Sequence, residues 1–199
     1  MDVVIATRNK GKRREFEELA QGLGLRLHSL DEYPSAIDPE ETGATFEENA
    51  LIKARAAVQA TGLWALADDS GLCVEALGGR PGIHSARYAE GSDQSRWQKL
   101  LSELDGVPEP RRGAAFVCVL ALVGPQGESR ISEGRCEGRI GFDARGEQGF
   151  GYDPVFLVAG DVAGRTMAEL SAEEKHALSH RGRAFEAMRP HLASLTPGK

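Results

Sequence analysis

Two acidic pairs stand out in the chain: Glu40-Glu41 ahead of a helical pattern, and Asp68-Asp69 at the end of an apolar run. If they converge, they offer the hard oxygen donors that Mg²⁺ takes, one or two from protein and the rest from water and phosphate. A carboxylate left over can then orient or deprotonate an attacking water. Glu40-Glu41 alone also fits an acidic approach to a helix N-terminus, which the macrodipole favours. Asp68-Asp69-Ser70-Gly71 is harder to read as a solvated surface, because carboxylates here follow a buried strand.

Cations and hydroxyls are placed to complement these acids. Thr7-Arg8-Asn9-Lys10-Gly11-Lys12 lies where a strand feeds a helix, and backbone N–H groups at such a junction attract phosphate. The Gly-x-x-x-x-Gly-Lys-Ser/Thr spacing of a Walker A loop is missing, so the segment is an anion site in outline only, and a plain βα connection reads the same way. Lys53 lies eight residues after Thr45 on the helix that Glu40-Glu41 precedes; it projects either toward the acids or into solvent. Phe150-Gly151-Tyr152-Asp153 combines rings that can stack on a base with a carboxylate that can read a purine edge; a turn with apolar anchors is the alternative. Lys175, His180 and Arg181 add a point charge, an imidazole and a rigid donor fork that can hold phosphate or a base oxygen.

Other chemistries are excluded. No Ser/His/Asp or Cys/His nucleophile signature is present, and His28, His84, His176 and His191 show no paired ligand spacing. Cys73, Cys118 and Cys136 are odd in number and sit among small or apolar residues, so they read as packing groups. A net charge of −6, 6% aromatic residues and no Lys/Arg run argue against nucleic-acid coating and for a small partner. The longest apolar run, Ala114–Val123, is about half the roughly 20 residues that cross a bilayer, so no membrane span is expected. Met1 leads into Val3–Ala6 without a signal-peptide pattern, and a cytoplasmic protein is expected.

The elements that must position these residues follow from periodicity. With 199 residues, 41% of them hydrophobic, the chain suits one domain, 1–199, with a sizeable core. Val3–Ala6 reads as a strand, and Phe16, Leu19, Ala20 and Leu23 recur at helical spacing after the polar loop. Leu25–Leu30 predicts a second strand, and Asp31–Gly43, with two prolines, an irregular segment. Thr45 and Glu48 have capping-box spacing before a helix that runs to about Ala60. Leu63–Ala67 predicts a strand that the polar Asp68–Gly71 interrupts, with the apolar pattern resuming over Leu72–Leu77. Gly78–Glu90 predicts a long loop, and Trp97, Leu100, Leu101 and Leu104 a helix. Ala114–Val123 and Arg130–Ile140 flank a Gly-Pro-Gln-Gly turn as a hairpin would. Val155–Val158 reads as a strand, and Ser171 opens a last helical region broken near Gly182. The sum is an α/β fold with two lobes around a cleft.

In this order the segments resemble the inosine/xanthosine triphosphate pyrophosphatase family. The matching stretches are 6–12 (Ala-Thr-Arg-Asn-Lys-Gly-Lys), 40–50 (Glu-Glu-Thr-Gly-Ala-Thr-Phe-Glu-Glu-Asn-Ala) with Lys53, and 67–72 (Ala-Asp-Asp-Ser-Gly-Leu). They continue with 77–88 (Leu-Gly-Gly-Arg-Pro-Gly-Ile-His-Ser-Ala-Arg-Tyr), 149–154 (Gly-Phe-Gly-Tyr-Asp-Pro), 173–175 (Glu-Glu-Lys) and 179–182 (Ser-His-Arg-Gly). The resemblance implies an elongated mixed-sheet fold with a central nucleotide-binding cleft, usually a homodimer, requiring Mg²⁺ and releasing a nucleoside monophosphate and pyrophosphate. It implies that Thr7, Arg8, Asn9, Lys10, Gly11, Lys12 and Lys53 hold phosphates, that Glu40 or Glu41 binds metal with Asp69, and that Asp69 accepts the proton with Ser70 contacting substrate. Phe150, Gly151, Tyr152, Asp153, Lys175, His180 and Arg181 would line the purine pocket. Arg8 stands where the commonest pattern has a small residue, and it either alters the phosphate contacts or faces water.

The chemistry agrees with that implication. Cleavage between the α- and β-phosphates needs charge neutralisation of the leaving pyrophosphate and an in-line water. A 6-keto purine accepts a hydrogen bond where the amino group of adenine would face donors, so ITP, dITP and XTP are the expected substrates. The alternatives are a related pyrophosphatase with another nucleotide preference and a nucleotide-binding module without catalysis.

Overall fold

The computed structural model describes residues 1–196. Six strands form one sheet in the order β2-β1-β3-β4-β5-β6. These are β1 (Asp2–Ile5), β2 (Arg26–Ser29), β3 (Trp64–Val74), β4 (Gly113–Val123), β5 (Ser129–Ile140) and β6 (Phe156–Val158). Among the described residues five α-helices accompany them: α1 (Lys10–Leu19), α2 (Phe46–Thr61), α3 (Asp93–Glu103), α4 (Ala172–Leu178) and α5 (His180–Ser194). The mixed α/β class read from the sequence is borne out.

The chain divides into two compact units. The first holds Met1–Asp69, Cys118–Gly134 and the chain from Arg181 on; the second holds Ser70–Val117 and Arg135–His180.

In the first unit β1 pairs in parallel with β2 on one side and β3 on the other, with Val4 opposite His28 and Ala65. A parallel strand covered on both faces must be apolar on both, which is why Val3, Val4 and Ile5 run without alternation. Val3 and Ile5 pack with Phe16 and Leu19 of α1 and Phe185 and Met188 of α5. Val4 and Ala6 point the other way, onto Ala50, Ala54 and Ala57 of α2. The alanine face of α2 lets the helix approach the sheet closely. Its N-terminus is closed by Thr45, whose Oγ1 accepts from the Glu48 amide at 3.1 Å, while the Glu48 carboxylate accepts from the Ala44 amide instead of completing the box on Thr45. Gly62 ends the helix in the left-handed region at φ 69°.

The second unit has its own core, with Leu72, Phe116, Tyr152, Phe156 and Leu170 among its buried members. β6 pairs antiparallel with β5, with Arg139 opposite Leu157. β4 and β5 are sheet neighbours joined by a turn in which the Gly124 amide donates to the Glu128 carbonyl. In α4 the Ser171–Glu174 capping box is complete.

Three local expectations are corrected. β3 is continuous from Trp64 to Val74, so Asp68–Gly71 does not interrupt it; buried cations partner the acids, and the backbone keeps its ladder. The Gly78–Glu90 loop contains a 3-10 helix over Gly82–Arg87, and a further 3-10 turn covers Glu75–Leu77. The break in the last helical region falls at Ser179, whose extended backbone (ψ 154°) separates α4 from α5, while Gly182 lies inside α5.

Candidate active site

In the first unit β1 ends at Ile5, and Thr7 Oγ1 accepts from the Asn9 amide at 3.2 Å, which turns the chain toward α1. Asn9 caps that helix by accepting from the Lys12 amide at 3.1 Å. Lys10 is exposed and Gly11 half-buried, while the Lys12 ammonium is drawn inward to Asp68. The Arg8 side chain is exposed, and its guanidinium binds Asp31, Asp38 and the carbonyl of Ala36.

β3 carries both aspartates inside, where Asp68 is fully buried and Asp69 nearly so. Strand alternation sends them to opposite faces. Asp68 meets Lys12, the thiol of Cys118 at 3.4 Å and Arg181, whose Nε and one terminal nitrogen each lie 3.2 Å from Asp68 Oδ2. Another terminal nitrogen of Arg181 binds Glu15. Burial alone would raise the Asp68 carboxyl, but the charges of Lys12, Arg181 and Lys53 outweigh it and hold the group ionised, well below the usual range.

Asp69 faces α2. Its Oδ1 accepts from Lys53 Nζ at 2.7 Å, and the same ammonium donates to Glu41 Oε1 at 3.1 Å. The Asp69 Oδ2 is buried with no hydrogen-bond partner. Burial pushes the Asp69 carboxyl upward, by more than Lys53 and Lys12 pull it down. Burial would also depress the Lys53 ammonium, yet Asp69, Asp68 and Glu41 together hold it above its ordinary value. The structure therefore separates two glutamates that the sequence left equivalent. Glu41 is drawn onto Lys53 beside Asp69, and Glu40 is exposed.

Within this unit Glu15, Glu41, Asp68 and Asp69 meet Lys12, Lys53 and Arg181. A buried carboxylate oxygen without a partner can take a further cation. Among the described residues no three His, Cys, Asp or Glu side chains converge as a ready metal cage.

The second unit gathers another set. Asp153 Oδ2 accepts from Lys175 Nζ at 2.9 Å and from the Phe150 amide at 3.0 Å, and the Lys175 ammonium lies 4.9 Å from the centre of the Phe150 ring. Gly151 donates its amide to Asp93 at 2.7 Å, and the buried Tyr152 hydroxyl donates to the Ser85 carbonyl at 2.9 Å. The His180 ring stacks on Phe116 with centroids 4.7 Å apart and planes 12° from parallel. Lys175, Asp153 and His180 are all buried, and Ser70 is partly exposed. Arg181, the neighbour of His180 in sequence, belongs to the first unit with Asp68 and Glu15, while Phe150–Asp153, Lys175 and His180 belong to the second.

Sequence reasoning assigned no site role to Glu15, Ser85, Asp93, Phe116 or Cys118. Glu15 had one usable signal: it follows Lys12 by three residues in a helix, so both share a face. The others are single residues without a local pattern.

Fold and site define a class: a mixed α/β protein in which one sheet strand buries two consecutive aspartates among lysine and arginine partners. The chain belongs to the Ham1 family, whose pattern matches residues 3–191. It is 51% identical over 193 residues to a dITP/XTP pyrophosphatase of Symbiobacterium thermophilum, covering 97% of this chain and 95% of that one. A dITP/XTP pyrophosphatase of Geobacter sulfurreducens is 52% identical over 192 residues, 96% of each chain. Among solved structures, a HAM1 protein from Coxiella burnetii superposes with a TM-score of 0.87 at 44% identity, covering 98% of this chain and 99% of that one. The family resemblance read from the ordered motifs is borne out.

Proposed function

We propose that this chain hydrolyses the non-standard purine nucleoside triphosphates ITP, dITP and XTP to the monophosphate and pyrophosphate, using Mg²⁺. The observation that carries the reading is the convergence of Glu41 and Asp69 on Lys53, with one Asp69 oxygen buried and unmatched. The names of the relatives support the substrate class.

The residues fit a divalent cation. Asp69 Oδ2 is an orphaned oxygen, and the donors on offer, Asp69 and Glu41, are hard carboxylates. Two protein carboxylates suffice for Mg²⁺ when phosphates and water supply the remaining ligands, so the lack of a three-residue cage is no obstacle. Glu41 and Asp69 would hold the ion, which when bound neutralises charge on the phosphates.

The remaining roles fall to the chain's own groups. Lys12 and Lys53 place two ammonium groups where phosphate oxygens can compete with Asp68, Glu41 and Asp69 for them. Lys53 fixes the Asp69 carboxylate through Oδ1, and a carboxylate held in this way would orient the attacking water and take up its proton. A carboxyl raised by burial is a stronger base than an ordinary surface carboxylate. Lys175, held by Asp153 over the Phe150 ring, presents a donor and a stacking surface suited to a 6-keto purine. His180, stacked on Phe116, would take the base-reading role that the resemblance implies, while Arg181 is occupied by Asp68 and Glu15. A homodimer and a cytoplasmic setting complete the proposal.

The test is product identification after incubating purified protein with ITP and Mg²⁺, alongside GTP and ATP. IMP and pyrophosphate are expected from ITP. Release of IDP and orthophosphate would reject cleavage between the α- and β-phosphates.

A further inference from the structure

The Arg8 guanidinium has three partners on one segment of the chain. Its Nε donates to Asp38 at 3.1 Å, one terminal nitrogen to Asp31 at 2.8 Å, and the other to the buried Ala36 carbonyl at 2.7 Å. A guanidinium presents its donors in a rigid planar fork, so three partners fix the geometry of the segment they belong to. A single exposed ion pair would be weak; the constraint here lies in the three-point attachment.

That segment, Asp31–Gly43, is the irregular stretch between β2 and α2. Its start is anchored by the Ser29–Glu32 capping box, and its end by the Gly43 amide on Asn49 and the Ala44 amide on Glu48. Arg8 supplies the hold in the middle, three to ten residues before Glu41. Arg8 also sits one residue before the Asn9 cap that presents Lys12.

We propose that Arg8 is a positioning residue for Glu41: by binding Asp31, the Ala36 carbonyl and Asp38, it holds the segment that delivers Glu41 to Lys53 and Asp69. This rests on reading Glu41 as a cation-holding carboxylate of the pyrophosphatase. A small residue at position 8 would leave the segment to its two ends, the Arg13–Asp31 pair and the packing of Ala36, with no side chain fixing Asp38 and the Ala36 carbonyl together.

The experiment compares the full chain with Arg8→Ala, Arg8→Lys, Glu41→Gln and the Arg8→Ala/Glu41→Gln double variant. Three quantities are read: amide hydrogen exchange over residues 36–43 without metal, Mn²⁺ binding by electron paramagnetic resonance, and kcat and KM for ITP with Mg²⁺. Both Arg8 variants should exchange roughly tenfold faster in this segment, because an ammonium cannot replace the fork. Mn²⁺ binding should weaken about tenfold and kcat should fall by roughly ten- to a hundredfold with KM little changed, as for a misplaced functional group. In the Glu41→Gln background Arg8→Ala should add almost nothing to the losses in binding and rate.

Wild-type exchange in both variants would overturn the proposal. So would a raised KM with intact kcat, which is the mark of a phosphate contact, or losses that add fully to those of Glu41→Gln. If the wild-type chain leaves ITP intact, the pyrophosphatase reading fails; exchange and Mn²⁺ binding still decide whether Arg8 positions Glu41.

Discussion

Lys53 Nζ bridges Asp69 and Glu41 at 2.7 and 3.1 Å, and the second oxygen of Asp69 is left buried without a partner. Burying a polar atom without a hydrogen bond costs about 1–3 kcal/mol, a cost that a bound ligand or a transferred proton can remove. Asp69→Asn retains the shape of the side chain and loses both its charge and its basicity. Its melting temperature should stay near that of the wild type, while turnover of ITP falls by roughly 10²–10⁴. A near-normal rate in this variant would place the base elsewhere.

The titration of Asp69 should report its surroundings directly. In the metal-free chain burial raises its carboxyl and Lys53 opposes that rise, so the Asp69 carboxyl followed by NMR without Mg²⁺ should titrate above the ordinary aspartate value of about 3.9. With Mg²⁺ bound, the acid limb of kcat/KM should lie lower than this metal-free titration, since a cation favours the carboxylate. Activity increases with pH through this limb, since the base works only when ionised. Lys53→Met removes the opposing charge, and the metal-free titration should move to higher pH. A titration that stays in place or moves down would separate Lys53 from Asp69.

Asp68 plays a different part from its neighbour. It is the shared counter-ion of Lys12 and Arg181, and its substitution by Asn leaves cations buried with less compensation. Breaking such a network from one side typically costs about 3–5 kcal/mol, and Asp68→Asn should lose that order of stability in urea unfolding at neutral pH. The folded carboxyl is held below its unfolded value, so its contribution is present at neutral pH and is lost as pH falls below about 4. The gap between wild type and variant should therefore narrow in acid; a constant gap would assign the loss to packing.

At the edge of the sheet, His28 Nε2 lies 2.8 Å from Asp2 and Nδ1 lies 3.1 Å from Glu32. The hydrogen bond to Asp2 chiefly, then that to Glu32, raises the imidazole above its ordinary value. A raised pKa means that the stabilisation is complete below the unfolded value of about 6.5 and is lost as pH climbs through the folded one. His28→Gln should lower the melting temperature most near pH 6, with the difference shrinking toward pH 9. A difference that grows with pH would reverse the assignment.

Some of this was legible in single segments. The polar loop between an apolar strand and an amphipathic helix marked the α1 N-terminus, and Ser171 with Glu174 marked the start of α4, because caps and periodicity are local properties of the chain. The acidic pairs were visible as candidates for the same reason. Strand β3 was misjudged at Asp68 because the groups that neutralise it are remote: Lys12 is 56 residues away and Arg181 is 113. A charge buried by a distant partner looks, in sequence, like a break in the core.

By itself, then, the order of residues determined the class of fold, the membership of a family and the kind of chemistry on offer, since each rests on local pattern or on an ordered set of motifs. Only the tertiary structure decided that Glu41 rather than Glu40 joins Asp69, that Asp68 serves as a counter-ion, and that Arg8 grips the segment before Glu41. Those outcomes depend on which charges approach within a few ångströms after folding. Coulomb energy and desolvation act on distance and burial in space, and neither is set by separation along the chain.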